Sequence, residues 1–484
     1  MKTKPNIGIL VSLLFSILFC SCKESVVQPN IVLIVADDMT YRDCEPYGNP
    51  DIITPNIAQL AEEGISFDNM CTSTAMCVPT RAQLWTGIYP VRSGCYPNHA
   101  WLYEGLVTLP VVLKEHGYRV AGLGKSGDNP NHLFPLDLRQ SGGDRMQAIE
   151  QFIDESGEQP FMIWYGSNSP HGPWNKGNRE AYNASELALP PYLIDTRETR
   201  EELVKYYAEI TDLDREVGEI RSILEKRDIM DNTLFIFTSE QGASLPYGGK
   251  WSCYENSLKT AFIARWPGKI KPNTRTSAMT QYVDFAPTIV ELIGSKPEKV
   301  DVNVPDTKGY TGYDGKSFLN VLLGKQNKHH EYLYGCHTMI NVGGGTPEGY
   351  PIRSVRDERW KYIRNLNHEA EFQCGGARGK VVKSWQAKAD TSPEIQKHVH
   401  TLIQRPYEEL YDLENDPYEM NNLADSSSYH KELCLKLGKV LDNWMEQQGD
   451  EGMPTELAAK ERHWKIQKAA YLGVDPSEVE RDRD

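Results

Sequence analysis

Ile31-Val32-Leu33-Ile34-Val35-Ala36-Asp37-Asp38 is an unbroken apolar run that stops abruptly in two carboxylates. Five consecutive, mostly β-branched apolar residues with no polar alternation suit a strand buried on both faces, as in a parallel sheet covered by helices. Ligands of open α/β sheets gather at the carboxyl ends of strands. Asp37 and Asp38 therefore stand where a site would form, and two adjacent oxygen donors there suit a hard divalent cation. The layout recurs along the chain. Arg119 to Leu123 reads as a strand ending in Gly124-Lys125, and Phe161 to Tyr165 as another, followed by Ser169-Pro170-His171. A helix from Glu201 to Glu225 carries Leu203, Tyr207, Ile210, Leu213, Val217, Ile220 and Leu224 on one stripe. Leu234 to Thr238 follows and ends in Ser239-Glu240-Gln241-Gly242; then come Gly249-Lys250 and a further apolar run, Phe262 to Pro267. Strands alternating with helices predict an α/β fold with a mostly parallel, doubly wound sheet. Four strands that each end in polar or charged groups imply one shared site.

The second decisive stretch is Thr74-Ala75-Met76-Cys77-Val78-Pro79-Thr80-Arg81-Ala82-Gln83-Leu84-Trp85-Thr86-Gly87. Pro79 suits a first helical turn, where its missing N–H would be unpaired anyway, and Arg81 to Trp85 reads as a short helix stopped by Gly87. Cys77 is then expected just before a helix N-terminus, where unpaired N–H groups favour negative charge. Arg81, one turn on, can direct a guanidinium toward whatever Cys77 carries. Cys-x-Pro-x-Arg followed by Leu-x-Thr-Gly resembles the signature of the type I, formylglycine-dependent sulfatases of the alkaline phosphatase superfamily, with Thr80 where those enzymes more often have Ser.

The resemblance extends from about Asn30 to Asp425. It implies an alkaline-phosphatase-like fold, with a mostly parallel central sheet flanked by helices and a smaller C-terminal antiparallel subdomain. It also implies that Cys77 is oxidised after translation to formylglycine by a maturation enzyme. One Ca²⁺ would be held by Asp37, Asp38, Glu240 and Gln241 with the modified Cys77. Glu240 and Gln241 fall where the family usually has Asp followed by Asn or His, so the donors remain oxygens on longer arms. The family's Gly-Lys-x-His matches Lys125, its Pro-His matches His171, and its later sulfate-binding lysine matches Lys250. The histidine of Gly-Lys-x-His falls on Gly127, the largest departure.

In the implied mechanism, a gem-diol at Cys77, acidified by the metal, attacks sulfur, and its second hydroxyl then expels sulfate. Lys125, Lys250 and the metal would stabilise charge on the sulfuryl oxygens. Arg81 would hold the diol, and His171 or Lys250 would protonate the leaving oxygen. Gly127 leaves the base of the second step unassigned; His132 and His99 are the nearest candidates, each also readable as an ordinary loop residue. Two other functions are compatible with parts of the pattern. One is phosphate or phosphonate monoester hydrolysis in the same superfamily, although the carboxylate set resembles a one-metal site. The other is a degenerate sulfatase kept as a glycan-binding protein, although such a binder has no need of Cys77, Pro79, Arg81 and both lysines.

Composition bounds the rest. Lys2 and Lys4 precede an apolar run from Ile7 to Cys20, too short to span a bilayer, which needs roughly 20 residues, and of signal-peptide type. Leu18-Phe19-Cys20-Ser21-Cys22 resembles a bacterial lipobox, so residues 1–22 are expected to be removed or anchored, with Cys22 lipidated. The protein is then exported, in the periplasm or at the cell surface of a Gram-negative bacterium, and touches membrane only through that anchor. A formal charge of −15 argues against nucleic acid as a partner. Of ten cysteines, seven lie outside the leader and the signature, widely scattered, and no pairing follows from them.

Beyond about Gly335, Pro351 to Arg356, Trp360 to Arg364 and Glu409 to Leu413 read as short antiparallel strands, with a helix over Tyr429 to Met445 covering them. Expected segments are a catalytic domain over 28–340, a C-terminal subdomain over 341–450 and a charged tail over 451–484. Cys336-His337 and Tyr350 to Asn367 resemble the heparan N-sulfatase branch. The implied substrate is a sulfated saccharide: N-sulfated glucosamine, or an O-sulfated galactose or N-acetylhexosamine.

Overall fold

The computed structural model describes residues 28–247, 249–340 and 348–480; the signal segment and Cys22 lie outside the described residues. Eight strands form the central sheet: β1 Asn30–Ala36, β2 Ile65–Phe67, β3 Arg119–Gly124, β4 Leu138–Gln140, β5 Phe161–Gly166, β6 Thr233–Ser239, β7 Phe262–Arg265 and β8 Thr274–Thr276. Their order is β8-β2-β7-β6-β1-β5-β3-β4. From β6 through β4 every pairing is parallel. The Phe262 strand alone runs against its neighbours β6 and β2, so the expected mostly parallel sheet is present.

β1 sits in the middle, and its apolar run is buried on both faces as its composition requires. Val32, Ile34 and Ala36 enter one core with Tyr206, Ile210, Leu213 and Val217 of the long helix Arg197–Glu225. Ile31, Leu33 and Val35 enter the opposite core with Ala82, Leu84 and Trp85 of the helix Cys77–Thr86. Each of the Val, Leu and Ile side chains contributes roughly 1.5–3 kcal/mol by leaving water, so a polar residue on either face would be costly. Trp85 stacks on Trp164 of β5 at 4.3 Å between centroids, fixing the Cys77 helix to the sheet.

The parallel register levels the strand ends. Ala36 pairs with Ser239, Val35 with Gly166, and Gly124 with Gly166. The residues after β1, β3, β5 and β6 therefore emerge side by side at one edge, which brings Asp37, Lys125, the His171 loop and Glu240 together.

The second sheet is antiparallel: β9 Leu333–His337, β10 Ile352–Arg356, β11 Trp360–Asn365 and β12 Glu408–Asp412, in consecutive order. Helix Ser428–Gln448 packs Leu437, Leu441 and Trp444 onto Val355, Tyr362 and Leu410. β9 precedes the expected boundary at 340/341, so this sheet begins inside the segment assigned by sequence to the catalytic domain. The described part of the charged tail, 451–480, is docked onto the body. Buried Glu456 accepts the backbone N–H groups of Met339 and Ile340, and Arg462 donates to the carbonyls of Gly94 and Trp101. All eight described cysteines are buried and unpaired.

Candidate active site

Cys77 opens its helix; it is the first helical residue, with Met76 as the N-cap and no side chain capping it. The segment before it is held by its own polar side chains. Ser73 N–H and Oγ both donate to Gln83 Oε1, and Thr80 Oγ1 donates to the Thr74 carbonyl. Asn98 Oδ1 accepts the Val78 N–H, taking one of the unpaired donors of the first turn. Cys77 Sγ lies 3.7 Å from Asp37 Oδ1, 3.9 Å from Asp38 Oδ1 and 3.5 Å from Gln241 Nε2. Burial, and next the Glu240 carboxylate, push the Cys77 thiol up to about 12 against the pull of Lys125 and Lys250. These surroundings disfavour a thiolate on an unmodified Cys77.

Around the sulfur three buried carboxylates meet three basic groups. Lys125 Nζ is 2.6 Å from Asp37 Oδ2, and Lys250 Nζ is 2.6 Å from Asp38 Oδ2. Arg81 donates through Nε to Glu240 Oε2 at 2.5 Å and through Nη1 to the Lys125 carbonyl. Its Nη2 is buried without an acceptor, 3.8 Å from Asp37 Oδ1. Arg81 is fastened to Glu240 and the Lys125 backbone, with one donor, Nη2, left over beside Asp37. Against the burial that would raise it, Lys125, Glu240, Arg81 and Lys250 hold Asp37 below the ordinary carboxylate range. Glu240 moves the other way, up to about 8, through burial and the neighbouring Asp37 charge, which outweigh Arg81. Lys250 and Lys125, despite burial, are raised by Asp38, Cys77 and Asp37, so both stay charged.

Gln241 Nε2 donates to Asp38 Oδ1 and Glu240 Oε1, both at 2.7 Å, while its Oε1 is buried without a partner. His171 reaches the cluster from the rim. Its Nε2 is 3.5 Å from Asp38 Oδ2, and its side chain is 42% exposed. Asp37, Asp38, Cys77 and His171 each offer a ligand atom within 4.8 Å of the others. The structure therefore assembles Asp37, Asp38, Cys77, Arg81, Lys125, His171, Glu240, Gln241 and Lys250.

His132 is engaged elsewhere: Nε2 pairs with Glu104 Oε2 at 2.8 Å and its ring stacks on Tyr471 at 4.6 Å. His99 lies next to Asn98 on an exposed, left-handed residue with φ 60°, and its carbonyl accepts the Trp464 N–H.

Three supports were not read from the sequence. Glu209, on the long helix, accepts from Ser169 Oγ and the Lys176 N–H, bracing the loop that carries His171. Gly166 leaves the gap through which Arg81 reaches Lys125; a Cβ there would meet the Lys125 carbonyl and lie 2.8 Å from Arg81 Nη1. Gly127 has φ +72°, and a Cβ on it would lie 2.7 Å from Arg81 Cβ and 2.9 Å from Cδ. On this backbone a side chain at 127 would collide with the stem of Arg81. A glycine two residues after Lys125 is the only trace of this in the sequence.

A family model described as Sulfatase matches residues 29–135 and 141–295, and one described as N-sulphoglucosamine sulphohydrolase, C-terminal, matches residues 247–374. An ulvan-active sulfatase of Formosa agariphila is 33% identical over 437 residues, covering 87% of this chain and 81% of that protein. The N-sulphoglucosamine sulphohydrolase of Homo sapiens is 24% identical, covering 86% of this chain and 89% of that one. Among solved structures, a protein in complex with its substrate D-glucosamine-2-N,6-O-disulfate superposes with a TM-score of 0.66 at 20% identity, over 88% of this chain and 99% of that one. A phosphonate monoester hydrolase of Agrobacterium radiobacter gives 0.65 at 19% identity, over 87% and 96%. Likenesses at that level of identity fix the fold and leave the reaction to the site.

Proposed function

The chain belongs to the sulfatase family, and on that footing we propose that it removes sulfate from a sulfated glycan using an aldehyde formed at Cys77 and one Ca²⁺. The observation that carries this reading is Cys77 itself, a buried residue at a helix start, ringed by Asp37, Asp38, Glu240, Lys125, Lys250 and Arg81. The donor set fits a hard cation. Three carboxylates converge, and the buried Gln241 Oε1 lacks any partner; turning its amide over would present that oxygen to Asp38 and Glu240. All are oxygen ligands of the kind Ca²⁺ takes. Asp37, Asp38, Glu240 and Gln241 would hold the ion, which would neutralise sulfuryl charge while the hydrated aldehyde supplies the nucleophilic oxygen.

The remaining work falls to the chain. Lys125 and Lys250, charged and already directed at the aspartates, bind and neutralise the sulfate oxygens. A divalent ion added to three carboxylates and three basic groups leaves the pocket net positive, suited to an anionic substrate in a protein whose overall charge is −15. The Nη2 of Arg81 holds the nucleophile in place. His171, at the solvent rim, is within reach of a leaving oxygen and donates its proton. Two further parts of the proposal concern the cell: a maturation enzyme must oxidise Cys77, and the protein is exported and held at Cys22.

For the substrate, the relative of highest identity reported above is an ulvan-active sulfatase, which supports a sulfate ester on a polysaccharide of that class. The match of residues 247–374 to the N-sulphoglucosamine sulphohydrolase C-terminal family favours an N-sulfated glucosamine as the second reading. Sulfate release measured by ion chromatography, from ulvan oligosaccharides and from glucosamine N-sulfate, separates them. Turnover by protein whose Cys77 is unmodified by mass spectrometry would refute the aldehyde chemistry.

A further inference from the structure

Asp284 lies at the start of helix Phe285–Leu292, in a part of the molecule that the sulfatase chemistry does not use. Its carboxylate meets two consecutive histidines brought back from far along the chain. His330 Nε2 is 2.8 and 2.9 Å from its two oxygens, and His329 Nε2 is 3.3 Å from Oδ2. Asp284 is fully buried and the His329 side chain is 4% exposed. At 3.3 Å from Oδ2, His329 Nε2 is in ion-pair contact with the carboxylate but not aligned for a hydrogen bond, so it is the loosest held of the three donors.

The carboxylate is oriented from behind as a metal ligand would be. Oδ2 accepts the Gln281 N–H and Oδ1 accepts the Lys316 N–H, the supporting bonds that fix ligand geometry in metal sites. The three donor atoms lie within 4.8 Å of one another. Zinc–ligand bonds near 2.0 Å in a tetrahedron put neighbouring donors about 3.3 Å apart, the separation between His329 Nε2 and Asp284 Oδ2. His330 must draw back by roughly 0.5 Å to match that edge.

We infer that Asp284, His329 and His330 form a second metal site, distinct from the sulfate-cleaving centre, that takes a first-row divalent cation of the zinc type. Two imidazole nitrogens and one carboxylate suit such an ion and not Ca²⁺, which prefers oxygen alone. His330 borders a surface groove with Tyr89, Tyr332 and Tyr334, which gives the ion a path from solvent and leaves a position for water. The site is structural. Gln281, three residues before Asp284, donates to the carbonyls of Thr72 and Tyr334, so an ion here ties the 329–330 segment to Thr72, in the segment that leads to Cys77.

The test uses the full chain, stripped by chelator and saturated with Ca²⁺ so that the oxygen-rich site is filled. Zn²⁺ alone is then titrated by calorimetry and counted by elemental analysis. One zinc per chain is expected, with a rise in melting temperature. His329→Gln/His330→Gln keeps an N–H donor for Asp284 but should weaken zinc binding by about 100-fold or more. Equal zinc in the wild type and the double variant, or none in the wild type, overturns the inference. If the variant does not fold, Co²⁺ in the Ca²⁺-saturated wild type decides: visible absorption typical of nitrogen-ligated tetrahedral cobalt supports the site, and its absence overturns it.

Discussion

Replacing Gly127 tests whether steric room or lost chemistry explains the missing histidine. In Gly127→Ala the new Cβ would stand 2.7 Å from Arg81 Cβ and 2.9 Å from Cδ, where carbon atoms ordinarily rest about 3.5–4.0 Å apart. Arg81 would have to retreat by about 1 Å. It has nowhere to go, because Nε is held by Glu240 and Nη1 by the Lys125 carbonyl under Gly166. A misplacement of roughly 1 Å in a positioned group costs on the order of 10²-fold in rate. The left-handed backbone at φ +72° adds about 1–2 kcal/mol for any side chain. Gly127→Ala should therefore lower kcat about 100-fold, and Gly127→His should lower it further, although it reinstates the family's residue. A simple loss of a general base predicts the reverse, a gain of about 10²–10⁴-fold on restoring histidine. The assay is sulfate release from a sulfated oligosaccharide at saturating substrate, with circular dichroism to confirm folding. Turnover in Gly127→His at or above the wild-type rate would refute the steric explanation.

Cys77→Ser should abolish turnover while leaving the melting temperature within a few degrees of wild type; residual multiple turnover would count against the aldehyde. Chelation should remove activity and Ca²⁺ restore it, and Gln241→Leu should raise the Ca²⁺ concentration needed for half activation; an unchanged requirement would free Gln241 from the ion. His132→Ala should turn over near the wild-type rate, since His132 is held by Glu104 and Tyr471; a large fall in kcat would return it to the reaction. Arg353 and Asp450 are both fully buried and paired, so Asp450→Ala should cost about 3–5 kcal/mol by stranding the guanidinium. Arg353→Met/Asp450→Leu should recover most of that in denaturant midpoints.

Much of the site was legible because its residues follow strand ends. Asp37, Lys125 and Glu240 each come directly after a buried apolar run, and parallel register brings such ends level. His171, on a longer loop, was found through the Pro-His likeness. The supports were not legible. Glu209 lies on a helix whose stripe reads as plain amphipathic packing, and nothing local says that it reaches back to Ser169. The tail reads as charged and peripheral, yet buried Glu456 and partly buried Arg462 bond to the backbone of Met339, Ile340, Gly94 and Trp101.

The sequence alone determined the sheet and the Cys77 helix, because hydrophobic period and proline and glycine placement act over a few residues, and the groups around the sulfur were named through the resemblance to the sulfatase signature. Tertiary structure decided what those groups are bonded to. Arg81 faces Glu240 and the Lys125 carbonyl, a side chain at Gly127 would collide with that guanidinium's stem, and Asp284 meets two histidines more than forty residues away. Contacts of this kind depend on distances between segments that are far apart in the chain, and no local pattern carries that information.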